Sequence, residues 1–136
     1  MVTTHVTYTG DLRCEATHAP SGSVIETDAP ADNHGKAARF SPTDLVGAAL
    51  ATCIATTIGI AGQKRGWKLD GMRVKVDKDM SATPPRRIAH LAVELWMPVA
   101  MHGEDRKQVE TIAHACPIHA SLHPDVRVTC AIHWPA

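Results

Sequence analysis

The sequence predicts an α+β fold with the element order ββαββααβ, on three observations. An uncharged stretch, Leu45 to Ala61, follows a strong helix-start pattern. Segments on either side alternate apolar and polar residues with the period of a half-buried strand. Two shorter helical patterns precede a final alternating run. At 136 residues the chain suits one domain, residues 1–136, with one buried core and one site.

The elements follow in order. His5 to Thr17 is rich in β-favouring residues and is separated from Ser23 to Asp28 by the turn formers Pro20, Ser21 and Gly22, which predicts a hairpin. Ala29 to Arg39 lacks periodicity and is expected to be a surface loop. In Ser41-Pro42-Thr43-Asp44, Ser41 can cap a helix, Pro42 suits its first position and Asp44 can reach back as the acid of a capping box. That helix is expected to run to about Arg65, where Lys64 and Arg65 complement the dipole and Gly66 supplies a left-handed stop. Because Leu45 to Ala61 is apolar nearly all round, the helix is expected to be central or sandwiched between two subunits.

Met72 to Asp77 and Ile88 to Met97 read as a second hairpin, and Gly103 to Ala115 as an amphipathic helix. A short helix follows Cys116-Pro117, spanning Ile118 to Leu122. The last strand places Val126, Val128, Cys130, Ile132 and Trp134 on one core-facing side.

Fourteen basic side chains balance fourteen acidic ones with no run of like charge, so nothing marks a nucleic-acid or anionic-membrane surface. Leu45 to Ala61 is short for a membrane span and rich in Gly, Ala and Thr. The opening residues lack a basic stretch followed by an apolar core, so a cytoplasmic location is expected. There Cys14, Cys53, Cys116 and Cys130 would stay reduced, and any pair that oxidises would do so for chemistry.

Cys53 interrupts an uncharged helix. It is either a small hydrophobe or, with a cation beside it, a nucleophile. Cys116 heads a short helix, where backbone N–H groups favour its thiolate. Cys14 and Cys130 read as packing residues. Arg13 and Arg39 are the arginines that could approach Cys53. His114, Cys116, His119 and His123 form H-x-C-x2-H-x3-H, a competing zinc-binding reading.

The segments FSPTDLVGAALATCIATTIGI, ACPIHASLHPDVRVTC and TGDLRCEATHAPSG resemble the OsmC/Ohr family of hydroperoxide reductases. The resemblance covers nearly the whole chain. It implies an OsmC-like fold built as an intertwined homodimer, and a two-cysteine peroxidase of the oxidative stress response. Cys53 would be peroxidatic and Cys116 resolving, joined in a redox-active disulfide. An arginine, Arg13 in preference to Arg39, would stabilise the thiolate and the peroxide, and Asp44 would orient it. The substrate would be an organic hydroperoxide, with hydrogen peroxide as a further candidate. No organic or metal cofactor is implied, and a lipoyl protein or a thioredoxin-like dithiol would clear the disulfide. The chain departs from the family where Ohr-like members carry glutamate after the proline, because Thr43 stands there and Asp44 follows one residue on. That step rotates a side chain by about 100°. The departure leaves open a non-catalytic member that binds a small ligand.

Overall fold

The β-favouring residues His5 to Thr17 do not run as one strand, which corrects the expected order. Gly10, Asp11 and Leu12 all take positive φ, at 90°, 55° and 62°, and reverse the chain. The Tyr8 hydroxyl accepts the Leu12 N–H at 3.3 Å and the Thr9 hydroxyl donates to the Arg13 carbonyl at 3.2 Å, locking the turn. Gly10-Asp11 is a local turn signal between two β-favouring runs, while Leu12 is an unusual residue for left-handed backbone. The result is β1 (Thr4–Gly10) and β2 (Arg13–His18), followed by β3 (Val24–Asp28). The observed order is βββαββααβ, with a 3-10 turn at Ala31–Asn33, still α+β. The computed structural model describes all residues from Met1 to Ala136, in two compact units, Met1–Val46 and Gly47–Ala136.

In the first unit the strands form an antiparallel sheet, β1-β2-β3. Cross-strand register sets Val6 beside Ala16 and Ala16 beside Ile25. One face of this sheet is therefore apolar, and Val6, Tyr8 and Ile25 on it are exposed. The loop after β3 folds back so that the Asp28 N–H donates to the Phe40 carbonyl at 3.1 Å.

Helix α1 (Pro42–Arg65) starts on the expected capping box. The Ser41 hydroxyl accepts the Asp44 N–H at 3.1 Å, and the Asp44 carboxylate accepts the Ser41 N–H at 2.9 Å. A cap of this kind contributes about 1 kcal/mol. The helix stops where Gly66 takes φ 73°, as its position predicts.

In the second unit β4 (Arg73–Met80) pairs antiparallel with β5 (Ile88–Trp96), and β6 (Arg127–His133) pairs parallel with β5. A parallel neighbour requires a crossover. Here α2 (Gly103–Ala113) and α3 (Pro117–Ser121) supply it. Gly47, Leu50, Ile54, Ile58 and Gly62 form the buried stripe of α1. A Cβ added at Gly47 would lie 3.6 Å from Val76 and 3.7 Å from Leu91, so the helix sits directly on the sheet. Leu91, Val93 and Leu95 of β5 and Val109 and Ala113 of α2 complete the core. Each large apolar side chain buried there contributes about 1.5–3 kcal/mol.

α1 is long and apolar enough to cross a membrane by length and composition, yet its buried stripe faces a sheet, as in a core helix. The opposite face carries no charge: Thr52, Thr56 and Ile60 are exposed, Ile60 at 51%. Because Ile54 is fully buried, Ile54→Ala is expected to lower unfolding free energy by about 2–5 kcal/mol in urea denaturation. A loss under about 1 kcal/mol would show that the stripe is not core.

Candidate active site

Two thiols that are far apart along the chain are neighbours in the second unit. Cys53 is half-buried on α1, and its carbonyl accepts the Thr57 hydroxyl at 2.7 Å. Cys116 is fully buried at the N-terminus of α3, where its sulfur caps the helix by accepting the His119 N–H at 3.4 Å. Both are free thiols.

The ionisation of Cys116 reveals the contact. Burial is the largest influence and pushes its thiol above the ordinary range. The His119 N–H opposes it, and the Ile118 N–H does so more weakly. The Cys53 sulfur adds to the upward push, both as hydrogen-bond partner and through its charge. The helix-start N–H groups do favour the Cys116 thiolate, as expected, but they do not set the net direction. The N–H groups are present, but loss of water outweighs them, and a five-residue helix offers a weak dipole. Burial therefore disfavours the Cys116 thiolate.

The two candidate arginines come together in the first unit. Arg13 and Arg39 line one cavity of about 310 Å³ with Thr9, Cys14, Glu15 and Glu26. Arg39 pairs with Glu26 at 3.0 Å, both side chains more than half exposed. Arg13 faces Asp28, with Nε 3.8 Å from Oδ1. Asp28 is 1% exposed, and its Oδ2 accepts the Ala38 N–H at 3.0 Å. That N–H holds the carboxyl below the usual range, assisted by the Arg13 charge, while burial works against both. Sequence reasoning missed Asp28, since a strand-end acid before a loop carries no mark of burial. Asp44 lies in the capping box with Ser41, and the Thr43 hydroxyl is 3.2 Å from the Ser41 hydroxyl.

The zinc-binding reading finds no geometry. No three His, Cys, Asp or Glu side chains are grouped to hold a metal ion. Instead, His123 Nδ1 accepts the Asp125 N–H at 3.1 Å, and His119 Nδ1 is buried without a hydrogen-bond partner. His114 lines a cleft of about 670 Å³ between α2 and β6, together with Cys130, Ile132 and Trp134. Although larger than the arginine cavity, this cleft is lined by neither Cys53 nor Cys116. Cys130 is half-buried on the core-facing side of β6, and burial raises its thiol pKa, consistent with packing. Cys14 lines the arginine cavity.

Residues 34–131 match the OsmC family, described as OsmC-like protein. No curated protein matches the sequence significantly. Among solved structures, a Psychrobacter arcticus protein named for osmotic stress induction and detoxification response is 39% identical, with 98% of this chain and 96% of that one covered and a TM-score of 0.92. The organic hydroperoxide resistance protein OsmC of Legionella pneumophila is 14% identical over 97% of this chain and 96% of its own, with a TM-score of 0.75. An organic hydroperoxide resistance protein of Elizabethkingia anophelis, solved with thiocyanate bound, is 12% identical over 99% and 96%, with a TM-score of 0.74. The last two share the fold. Since the family match takes in both cysteines, and the Psychrobacter protein aligns nearly end to end, this chain belongs to the OsmC-like family.

Proposed function

We propose that the protein is a thiol-dependent peroxidase that reduces organic hydroperoxides. The observation that carries this reading is the pairing of Cys53 with a fully buried Cys116, both as free thiols. The Cys53 thiolate attacks the distal peroxide oxygen. The O–O bond breaks, an alcohol leaves after taking up a proton, and Cys53 becomes a sulfenic acid. The Cys116 thiol then condenses with it, forming the S–S bond and releasing water. A dithiol, carried by a lipoyl protein or a thioredoxin-like protein, attacks that disulfide and restores both thiols as its own sulfurs are oxidised.

In this reading Arg13 supplies the positive charge that a mid-helix thiolate lacks, because the helix dipole is felt only near the ends. The protein works in the cytosol as a homodimer. The open, uncharged face of α1 and the exposed apolar face of the first sheet support an assembly that covers them.

Stopped-flow mixing with cumene hydroperoxide should show rapid consumption by wild type and only background loss with Cys53→Ser. Equal slow rates would remove the peroxidase reading. Cys116→Ala should consume one equivalent of peroxide and stall with sulfenic Cys53, a second equivalent carrying it to sulfinic acid, and mass spectrometry of the treated protein distinguishes the two.

Because burial raises the Cys116 thiol pKa, less thiolate is present at a given pH than for an ordinary cysteine. In a Cys53→Ser background iodoacetamide should therefore label Cys116 slowly at neutral pH and faster only as pH rises. Labelling at neutral pH as fast as that of an unfolded chain would contradict this. In sedimentation the wild type should run as a dimer and Ile60→Glu as a monomer. A monomeric wild type would overturn the dimer.

A further inference from the structure

We propose that Asp28 is the positioning residue for Arg13, fixing from the end of β3 the direction in which that guanidinium is presented. The inference rests on the reading that Arg13 serves the Cys53 thiolate.

Arg13 and Asp28 are cross-strand partners in register, so their side chains stand together on one face of the sheet. Asp28 is shut off from water, and a buried carboxylate persists only with compensating partners. One oxygen is held by the Ala38 N–H at 3.0 Å, the Ala29 and Lys36 N–H groups add to the hold on the carboxylate, and Oδ1 faces Arg13 Nε at 3.8 Å. That separation makes an ion pair but not a hydrogen bond. Arg13 Nε is itself buried and has no hydrogen-bond partner. A small contraction on substrate binding would complete the bond, as sites that are loose when empty commonly tighten.

The same carboxylate reaches the second arginine indirectly. Ala38, whose N–H Asp28 holds, accepts a hydrogen bond from Arg39 Nη1 through its carbonyl at 2.9 Å. The two arginines are nevertheless held unequally. The acid partner of Arg39 is 55% exposed, and that of Arg13 is 1% exposed. Water and salt reach both partners of the Arg39 pair, whereas in the Arg13 pair the guanidinium is 40% exposed and the carboxylate is shielded. Of the two, Arg13 is the guanidinium whose acid partner is closed off from water.

The test is a double-mutant cycle on kcat/KM for cumene hydroperoxide, using Asp28→Asn, Arg13→Gln and the pair. Asp28→Asn alone should lower kcat/KM about tenfold, the scale of one charged hydrogen bond. In the Arg13→Gln background it should add nothing. An equal loss in both backgrounds would show that Asp28 only supports the fold, and would overturn the inference alone. An Arg13→Gln protein with unchanged kcat/KM would sink the role of Arg13 and this inference with it.

If the wild type reduces no peroxide, the peroxidase reading fails, and thiol labelling still tests Asp28. In Cys116→Ser protein, Asp28→Asn should slow iodoacetamide labelling of Cys53, followed site by site by mass spectrometry, severalfold at neutral pH. An unchanged labelling rate overturns the proposal. Should Asp28→Asn fail to fold, NMR of the wild-type Arg13 Nε–H decides. Slow solvent exchange supports a held guanidinium, and fast exchange refutes it.

Discussion

The contact between Cys53 and Cys116 depends on how the second unit is connected. β6 lies parallel to β5, so the chain leaving Trp96 must return to the same end of the sheet before it can pair again. That return is made by two helices, and Cys116 stands at the break between them. α1 is laid on the sheet by Leu50, Ile54 and Ile58. Val109 and Ala113 bury α2 in the same core. The thiols thus face one another because two rigid helices are seated in one apolar core, and interiors packed to crystal density leave little freedom to drift.

The same burial gives the two cysteines unequal chemistry. A fully buried thiol resists ionisation, and a neighbouring sulfur that carries charge reinforces the resistance. Cys53 is the less buried of the two. In the proposed cycle this asymmetry orders the events. The half-buried thiol meets peroxide first, and the buried one reacts once a sulfenic acid is formed beside it.

Much of this could be read in the residues themselves. Ser41, Pro42 and Asp44 announced the start of α1, and Gly66 its end, because capping chemistry is local and a positive φ has few substitutes. Alternation gave β4, β5 and β6 their core-facing sides, since a strand buried on one face has no other pattern available. The β1–β2 turn was legible only in Gly10-Asp11, because Leu12 reaches left-handed backbone with the help of a hydroxyl four residues away, which residue preferences do not show. The net pKa direction of Cys116 is not legible in the sequence either. Helix-start N–H groups can be read from Cys-Pro, but desolvation depends on everything packed around the sulfur.

Asp28 and Asp44 show why a carboxylate's role cannot be assigned from position alone. Asp44 stands near the place where the family pattern puts an arginine-orienting acid, yet one of its oxygens is engaged on the Ser41 N–H that starts α1. Asp28 belongs to no motif, but it is closed off from water, held by a backbone N–H and directed at a guanidinium. A capping carboxylate can exchange its bond for water at modest cost because it lies near a helix end. A buried one cannot, so its partners must remain where they are. If an arginine is to be kept in a fixed direction, the acid that has nowhere else to turn is physically the better anchor, and here that acid lies on a strand.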